Sequence, residues 1–549
     1  MDSPDLINLK NKKIKKLKIL ETDRRLSDSC LWDAEKNYYL NKGMEAWNGQ
    51  VPFFITSNVF FAQESARVLA AYCRDLLKNK KLNLNQPIYI LELGAGTGQF
   101  SFYCFQELLK LWDELDLSPL NFIYLVTDLS PENIHFCESH SNFKDFKDVK
   151  NFKKNKIKSG EIKFLVLDTD DLSPLDFLKS NPNPVLTIAN YLFDSLKQDA
   201  FFVSEGRIHE SLLTLEMPEE YLEKYENNLD QLQPSFHHCL LSPGDYYAKP
   251  SYDFILETYQ AQLHEGSFLI PIGALDLLSY LLDLTQGKLL LLATDKGYAS
   301  VGDFEGEEEP SLVFHGSFSF GVNFHALGLF AEKSGGKMLE IPMGEGIKSS
   351  VILWEKNNLN NLNLNQNLNQ NLNQVLNHQI QELTLADFFN FYQQFKNSGK
   401  LSIELLLSFM RWSRWDPYIF SQFSQKILKS LNHSSANIIT GFIQGIDNLL
   451  AHMYELPYGE DLYSPIAILF HTLHFYERAL EIYKISENKA VLNIRLNTAI
   501  SQSHRFMNLF NQGLCYAQLG DQKSAQDYFQ KAKEFANPED LKRLEKWLD

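Results

Sequence analysis

Three alternating glycines, Gly94, Gly96 and Gly98, follow directly on an apolar run that contains one carboxylate, Glu92. Glycine has no Cβ and adopts positive φ readily, so this spacing predicts a tight turn whose backbone a ligand can touch. The residues from Ser101 onwards have the pattern of a helix, and the first turn of a helix has N–H groups without intrahelical partners. A buried strand, an open turn and a helix N-terminus are together typical of a nucleotide-binding loop.

The spacing of the glycines separates two kinds of nucleotide loop. The fingerprint for NAD would place its third glycine where Gln99 stands and a ribose-binding acid about 20 residues later. Here the next acid at a predicted strand end is Asp128, after a longer helix and loop. The pattern therefore favours the loop of S-adenosylmethionine (SAM) methyltransferases over that of an NAD-dependent enzyme. A strand, turn and helix without any ligand is the third alternative.

Polar residues recur where the next three predicted strands end. Asp128, Asp168 and Asn190 follow the strands predicted at 122–127, 162–167 and 184–189, in that order. Strands that alternate with helices predict an α/β fold with a doubly wound sheet. Ligands of such sheets bind beyond the carboxyl ends of the strands. We therefore expect these three residues, Glu92 and the glycines to lie along one rim.

The chain is long enough for more than one hydrophobic core, since it has 549 residues. A low-complexity tract of Asn, Leu and Gln divides it and predicts a flexible linker. Before the tract, strands alternate with helices; after it, apolar residues recur with the 3.6-residue period of helices. We predict four parts: an N-terminal extension at 1–50, an α/β domain with inserted helices at 51–355, the linker at 356–378 and an all-helical domain at 379–549.

The last helices resemble a tetratricopeptide (TPR) repeat. Gly513, Tyr516, Ala525, Phe529 and Ala532 occur at the spacing at which small residues let two antiparallel helices approach and aromatic residues fill the groove. Fewer than three such repeats are recognisable, so we expect a divergent TPR-like module that binds a protein partner.

Composition excludes several classes of protein. A net charge of −17 argues against nucleic acid as the main partner. The most apolar stretch, residues 268–293, contains Asp276, Asp283 and Lys288, so no membrane span is expected. Six cysteines without paired spacing fit a reducing, cytoplasmic location and predict neither disulfides nor a metal site. The sequence does not indicate the oligomeric state.

Several segments together resemble the MidA family of class I SAM-dependent methyltransferases, which includes the mitochondrial protein-arginine methyltransferase that assists assembly of respiratory complex I. The similar segments occur in the order of that family and cover roughly residues 50–335. The glycine loop and Asn190–Leu196 are the two that are individually specific. The similar segments are Phe54–Ser57, Leu91–Gly98, Asp128–Glu132, Asn190–Leu196, Arg207–Glu210, Gly287–Gly297 and Val322–Phe324.

The resemblance implies roles for the residues of the rim. Asp128 would accept hydrogen bonds from both ribose hydroxyls, Glu92 would orient the methionine end of SAM, and Asp168 would lie near the adenine. Asn190 and Asp194 would face the methyl group and the nucleophile, with Asp194 as hydrogen-bond acceptor or base. Simpler alternatives remain for Asp168, as a strand-end residue, and for Asp194, as a helix N-cap. The remaining residues implied in cofactor binding are Gly94, Ala95, Gly96, Thr97, Gly98 and Leu129, and those implied in substrate binding are Thr56, Tyr191 and Asp295.

Five positions depart from the family pattern. Tyr191 replaces a glutamate, Lys197 a proline, Lys296 a tyrosine and Asn323 an aspartate, and Asn58 stands near a missing Pro-Glu pair. Carboxylates would hold a guanidinium through bidentate bonds, so the loss of these acids leaves arginine specificity open.

Two functions follow as hypotheses. In the first, residues 51–355 are a SAM-dependent methyltransferase with a Rossmann-like sheet, acting on a side chain of a protein or peptide that the helical domain helps to present. In the second, the same fold is catalytically degenerate and serves as a scaffold or assembly factor.

Overall fold

The computed structural model describes residues 16–47, 54–147, 160–241, 246–314, 316–339, 346–355, 370–381, 384–431, 433–457, 461–492 and 499–548. The chain divides into two compact units. The first consists of Met1–Ser57 and Phe61–Phe389, and the second of Asn58–Phe60 and Asn390–Asp549.

All strands of the described residues belong to the first unit. They are β1 (Leu17–Arg24), β2 (Ile88–Leu93), β3 (Phe122–Asp128), β4 (Gly160–Val166), β5 (Val185–Asn190), β6 (Asp199–Ser204), β7 (Arg207–Pro218), β8 (Gln233–Leu240), β9 (Gly266–Ile270), β10 (Lys288–Tyr298), β11 (Leu312–Phe314), β12 (Phe318–Phe320), β13 (Val322–Asn323), β14 (Gly336–Leu339) and β15 (Ile347–Glu355).

Helices of the first unit precede, connect and follow these strands. They are α1 (Cys30–Lys42), α2 (Phe54–Ser57), α3 (Val59–Lys78, whose first two residues belong to the second unit), α4 (Gln99–Glu114), α5 (Pro131–Ser139), α6 (Ser141–Lys147), α7 (Pro250–Gln262), α8 (Ile272–Leu284), α9 (Phe324–Lys333) and α10 (Gln370–Gln381).

The main sheet has the strand order β14-β15-β10-β5-β2-β3-β4, with β13 added beside β10. Strands β10, β5, β2, β3 and β4 run parallel, and β15 runs antiparallel to both of its neighbours. The predicted doubly wound α/β sheet is therefore confirmed. The chain leaves β2 in one direction through β3 and β4 and returns on the other side at β5. The boundary between β2 and β5 is thus the topological switch point, where such sheets bind ligands.

The central strands are buried on both faces, as a parallel sheet with helices on each side requires. In β2 every residue except Tyr89 is buried, and β3 is buried throughout. Register places Leu93 beside Ala189 and Glu92 beside Val126, so the carboxyl ends of these strands are level. The predicted carboxyl ends of the parallel strands agree with the observed ones to within one residue.

A second, antiparallel sheet has the order β1-β7-β6-β9, and β8 pairs with β7. Its β6–β7 hairpin turns at Glu205 and Gly206, both with positive φ. Strand β1 corrects the prediction of an N-terminal extension, because β1 pairs with β7 and α1 follows it within the same unit. The described part of residues 1–50 is thus integrated into the first unit.

The low-complexity tract is not wholly a flexible linker. Residues 356–369 lie outside the described residues, but the remainder of the tract is the first part of α10. Leu372 and Leu376 of this helix are both buried. They lie four residues apart, so both are on the same helical face. The Asp75 carboxylate accepts hydrogen bonds from the N–H groups of Asn371 and Leu372 at 3.2 and 2.8 Å. Apolar spacing and a capping acid therefore stabilise a helix where composition alone suggested a linker.

The second unit is helical throughout its described residues. Its helices are α11 (Leu385–Asn397, which begins in the first unit), α12 (Ile403–Trp412), α13 (Pro417–Leu431), α14 (Ala436–Ala451), α15 (Tyr463–Thr472), α16 (Tyr476–Leu492), α17 (Ala499–Gln518), α18 (Gln522–Lys533) and α19 (Pro538–Leu548).

The close approach predicted between the last helices is present. A Cβ at Gly513 of α17 would lie 2.5 Å from Cε1 of Phe529 on α18, so only glycine fits there. None of the helices in the described residues is both long and apolar enough to cross a membrane.

Candidate active site

The glycine turn has the backbone that its sequence predicts. Gly94, Gly96 and Gly98 have φ values of +67°, +54° and +72°, in the left-handed region that side chains disfavour. The N–H of Ala95 donates to the carbonyl of Thr127 at 2.9 Å, which fixes the turn to the end of β3. Helix α4 begins directly afterwards at Gln99.

Asp128 lies at the end of β3 with its carboxylate against this turn. Its Oδ2 accepts a hydrogen bond from the N–H of Gly96 at 2.8 Å. Its Oδ1 accepts from the N–H of Ser130 at 2.8 Å and from Nδ2 of Asn133 at 3.1 Å. Burial raises the pKa of the Asp128 carboxyl, and these hydrogen bonds counteract the rise. The acid expected to bind the ribose therefore lies on the predicted rim, and one of its oxygens accepts a hydrogen bond from the glycine turn.

Two side chains cover the loop, contrary to the expectation of an open backbone. A Cβ at Gly96 would lie 2.9 Å from Cζ2 of Trp47, and one at Gly94 would lie 3.2 Å from Cδ1 of Leu192. Trp47 ends the short 3-10 turn Gly43–Trp47 that follows α1. Sequence patterns gave no indication of this contact because Trp47 is about 50 residues away from the loop along the chain.

Glu92 and Asp168 are engaged elsewhere. The Glu92 carboxylate accepts a hydrogen bond from the Tyr124 hydroxyl at 2.8 Å, and burial raises its pKa to about 7. Asp168 forms an ion pair with Lys36 of α1, with 2.6 Å between Nζ and Oδ2, and Asp170 pairs with the same lysine at 2.8 Å. Contacts with SAM thus remain predictions for both, and Asp168 is more than a strand-end residue because it holds α1.

A cluster of three buried carboxyls lies beyond β5 and β10. Asp194 and Asp295, both expected on this rim, meet where the N–H of Asp194 donates to Oδ2 of Asp295 at 3.1 Å. Glu35 of α1 joins them: Ser317 Oγ donates to its Oε1 at 3.3 Å, and its Oε2 has no hydrogen-bond partner among the described residues. Glu35, Asp194 and Asp295 are 2%, 6% and 1% exposed, so water does not screen them from one another.

Burial and mutual repulsion change the proton affinity of this cluster. Burial, followed by the charge of Asp194, raises the pKa values of Glu35 and Asp295 well above their ordinary range. Burial also raises the pKa of Asp194 to about 6, against the hydrogen bond from Ser195 and the charge of Lys296. Such a cluster favours either a bound proton or a bound cation. Within the described part of the chain no group of three His, Cys, Asp or Glu residues could hold a metal ion.

Asn190, the last residue of β5, and Tyr191, which follows it, present polar atoms without hydrogen-bond partners among the described residues. Both side-chain polar atoms of Asn190 and the hydroxyl of Tyr191 are buried and have no hydrogen-bond partner among the described residues. Tyr191 has a φ of +49°, which costs energy for any residue other than glycine. Buried polar groups are nearly always satisfied, so these atoms are candidates for contact with a ligand.

The remaining predicted residues make few contacts that bear on their expected roles. Asp194 lies inside the short turn Phe193–Ser195, whose N-cap is Leu192, so the alternative of an N-cap for Asp194 is wrong. Thr56 is buried in α2, and no hydrogen bond to the acid cluster is found for it in the described residues. Thr97 Oγ1 accepts a hydrogen bond from the N–H of Gln99 at 3.4 Å and belongs to the turn itself. Leu129 is half-buried beside Asp128.

Sequence reasoning missed Glu35, Lys36 and Trp47. The sequence offered little signal for them, because α1 has a mixed pattern of polar and apolar residues without a distinct apolar face.

The residues present fit a SAM-like nucleoside in their chemistry. The left-handed glycines, the carboxylate of Asp128 and the unpartnered atoms of Asn190 and Tyr191 surround the switch point between β2 and β5. A nucleoside does not fit in the space beside Gly96, because the Trp47 indole lies there.

Comparison with known proteins found similar solved structures. An uncharacterised protein from Burkholderia thailandensis is 13% identical with a TM-score of 0.36, and the match covers 59% of this chain and 86% of that one. A second member of its superfamily from the same organism, bound to S-adenosylhomocysteine, is 12% identical with a TM-score of 0.32, covering 59% and 92%. A SAM-dependent methyltransferase from Anabaena variabilis is 12% identical with a TM-score of 0.27, covering 61% and 99%. No protein-family model and no curated protein matches the chain.

Proposed function

We propose that this protein is a SAM-dependent methyltransferase of class I, related to the MidA family, that methylates a side chain of a protein or peptide. The observation that carries the proposal is the arrangement at the switch point of the sheet. There a turn of three left-handed glycines is bonded through the N–H of Gly96 to the carboxylate of Asp128. A backbone N–H, a carboxylate and a helix N-terminus within one turn are what a nucleoside with a hydroxylated sugar requires.

The acid cluster supports a cationic acceptor. Glu35, Asp194 and Asp295 concentrate negative charge in a buried place. The guanidinium of arginine is a planar cation that carboxylates bind through paired hydrogen bonds, and it keeps its charge at physiological pH. Glu35, which interacts with Asp194, adds an acid to a site where Tyr191 replaces the family's glutamate. Arginine is therefore our proposed acceptor, and lysine is the alternative cation.

The proposed roles of the residues follow from their positions. SAM, when bound, supplies an electrophilic methyl group. Asn190 and Tyr191 position the acceptor by offering the polar atoms that lack protein partners. Asp194 accepts the proton that the acceptor nitrogen loses as it gains the methyl group, and the pKa of about 6 lets Asp194 be ionised at neutral pH. Because Asp295 accepts hydrogen bonds from the backbone N–H groups of Asp194 and Lys296, it needs little reorganisation during the transfer.

Binding and transfer test the proposal separately. We expect SAM and S-adenosylhomocysteine to bind the full chain by calorimetry, and Gly96→Val to abolish this binding, because a side chain at φ +54° is strained and projects into the ligand's space. Gly399→Val is the matched control, since a side chain at Gly399 meets open space. Absence of any binding by the unaltered protein would refute the cofactor assignment.

A degenerate scaffold remains the second candidate, and Trp47 and Leu192 favour it because both cover the glycine turn. In this function the second unit, a TPR-like module on our proposal, would bind the protein partner. Incubation with methyl-labelled SAM and arginine-containing or lysine-containing peptides separates the two functions. Labelled peptide supports the enzyme, whereas cofactor binding without labelled product from any peptide or cell extract supports the scaffold.

The compartment is also a proposal. All six cysteines are free, which is consistent with a reducing environment such as the cytoplasm.

A further inference from the structure

Helix α1 and the turn Gly43–Trp47 contact the ends of three neighbouring strands. We call these residues, 30–47, the strap. Lys36 pairs with Asp168 and Asp170 after β4. Gly43 packs closely against the Glu132 side chain after β3. Trp47 packs against Gly96 after β2. The strap therefore crosses the rim on which a nucleoside would lie.

The indole of Trp47 takes the space that a ligand needs most. A Cβ on Gly96 would lie 2.9 Å from Cζ2 and 3.2 Å from Cε2 of the indole, so the ring is in van der Waals contact with the glycine. The ring is itself supported by Tyr39, with 5.9 Å between ring centroids. A ligand cannot touch the backbone of Gly96 while the indole remains there.

We infer that the strap is a gate: Trp47 closes the glycine turn, and SAM binds only after the indole has left Gly96. The inference rests on the proposed function for the identity of the ligand. It goes beyond that function because it assigns an inhibitory contact to a residue outside the loop.

Opposing interactions make the strap suitable for opening. Its ion pairs are partly exposed, with 32% of the Lys36 side chain and 34% and 57% of the Asp168 and Asp170 side chains accessible, so salt and water weaken them. On the same helix, the Glu35 carboxyl is buried beside Asp194. Attraction at Lys36 thus holds the helix down, while the cost of burying the Glu35 carboxyl opposes it.

Trp47→Ala tests the gate directly. A closed form that outweighs the open one about nine to one would weaken the apparent affinity about tenfold, and removal of the indole would restore it. We expect S-adenosylhomocysteine to bind Trp47→Ala about tenfold more tightly than the unaltered protein. Trp547→Ala, a partly exposed tryptophan of the other unit, is the control and should leave the affinity unchanged.

Lys36→Ala is the second variant, because it removes the ion pairs that hold the strap while Trp47, the glycine turn and Asp128 stay unaltered. It should also tighten binding, whereas Lys42→Ala, an exposed lysine of the same helix, should not. Equal affinities for all four variants and the unaltered protein would overturn the gate.

Hydrogen exchange of the strap gives a readout that does not depend on activity. If S-adenosylhomocysteine displaces the strap, amide exchange across residues 30–47 should become faster when the ligand is added. Slower exchange together with weaker binding by Trp47→Ala would overturn the inference, because the indole would then close over the ligand instead of excluding it. If neither the unaltered protein nor Trp47→Ala binds, both the gate and the proposed cofactor fail; if both bind equally, only the gate fails.

Discussion

Glu35 shows how a single buried carboxyl can serve function at the expense of stability. It is 2% exposed, it accepts a hydrogen bond from Ser317, and the charge of another acid, Asp194, raises its pKa further. An ionised group in such a place has lost its hydration without gaining a counter-ion. The native state therefore favours the protonated form of Glu35 unless a cation binds beside it.

The first prediction concerns Glu35→Gln. The pKa of Glu35 is higher in the folded than in the unfolded chain, so its contribution to stability is complete below the unfolded pKa and is lost as pH rises through the folded pKa. At neutral and alkaline pH the neutral amide should raise the free energy of unfolding by about 1–3 kcal/mol, and at pH 4 the two proteins should differ little. Denaturant unfolding at pH 4 and pH 8 measures this difference.

The exposed Glu45, in the turn after the same helix, provides the control for that prediction. Glu45→Gln should change stability by less than about 0.5 kcal/mol at either pH. If Glu35→Gln destabilises the protein at pH 8, a cation or an additional hydrogen-bond donor must already satisfy the carboxylate. On the proposed function, the same variant should also lose affinity for an arginine peptide while its affinity for SAM is kept.

At the scale of elements, the parts of the sheet that local pattern determines could be predicted. Strands β2, β3 and β5 are largely apolar runs that end at Leu93, Asp128 and Asn190, and their carboxyl ends lay within one residue of the prediction. Period and flanking residues are properties of the chain itself, so a sequence reveals them. The positions of Gly96 and Asp128 on one rim followed from the topology of parallel strands.

The elements that could not be predicted depend on distant packing. Helix α1 has a mixed pattern of polar and apolar residues, and its place on the rim depends on Lys36, Glu35 and the turn that ends at Trp47. No local signal links Trp47 to Gly96 or Lys36 to Asp168. Likewise, the low-complexity sequence of α10 did not indicate a helix. The start of this helix is evident only from the hydrogen bond that Asp75, a distant residue in the chain, accepts from Leu372.

The second prediction tests the helix pair of the second unit. Gly513→Ala places a methyl group 2.5 Å from Cε1 of Phe529, closer than any real contact, so α17 and α18 must separate or the ring must turn. Overpacking of this kind costs about 1–3 kcal/mol, which outweighs the gain of less than 1 kcal/mol in helix propensity. Thermal unfolding should show a lower midpoint for the unit that contains this pair.

Gly399→Ala is the comparison, because a Cβ there meets no atom within 4 Å and should alter the midpoint little. Unchanged stability of Gly513→Ala would mean that the two helices do not pack as closely as their sequence and structure indicate. Binding of a protein partner by Gly513→Ala should weaken if the proposed TPR-like groove provides the interface.

At the scale of the whole molecule, the charge of the chain agrees with the chemistry of the acid cluster. The protein carries 69 acidic and 52 basic residues, a net charge of −17. A field of this sign attracts cationic peptides and repels nucleic acids, and it acts over distances of about 8–10 Å at physiological salt. Long-range attraction would therefore bring an arginine-rich segment towards the protein. The buried acids would then bind its guanidinium.

The third prediction follows from the different screening of these two effects. The association rate of a cationic peptide should fall as salt rises from 0.05 to 0.5 M, because the Debye length shrinks severalfold and exposed charges are screened. Its dissociation rate should change little, since Glu35, Asp194 and Asp295 are buried and poorly screened. Stopped-flow measurements with an arginine peptide and with its neutral citrulline analogue separate the two rates. An equal salt dependence for both peptides would contradict a cationic acceptor, because the citrulline side chain keeps the shape of arginine and lacks its charge.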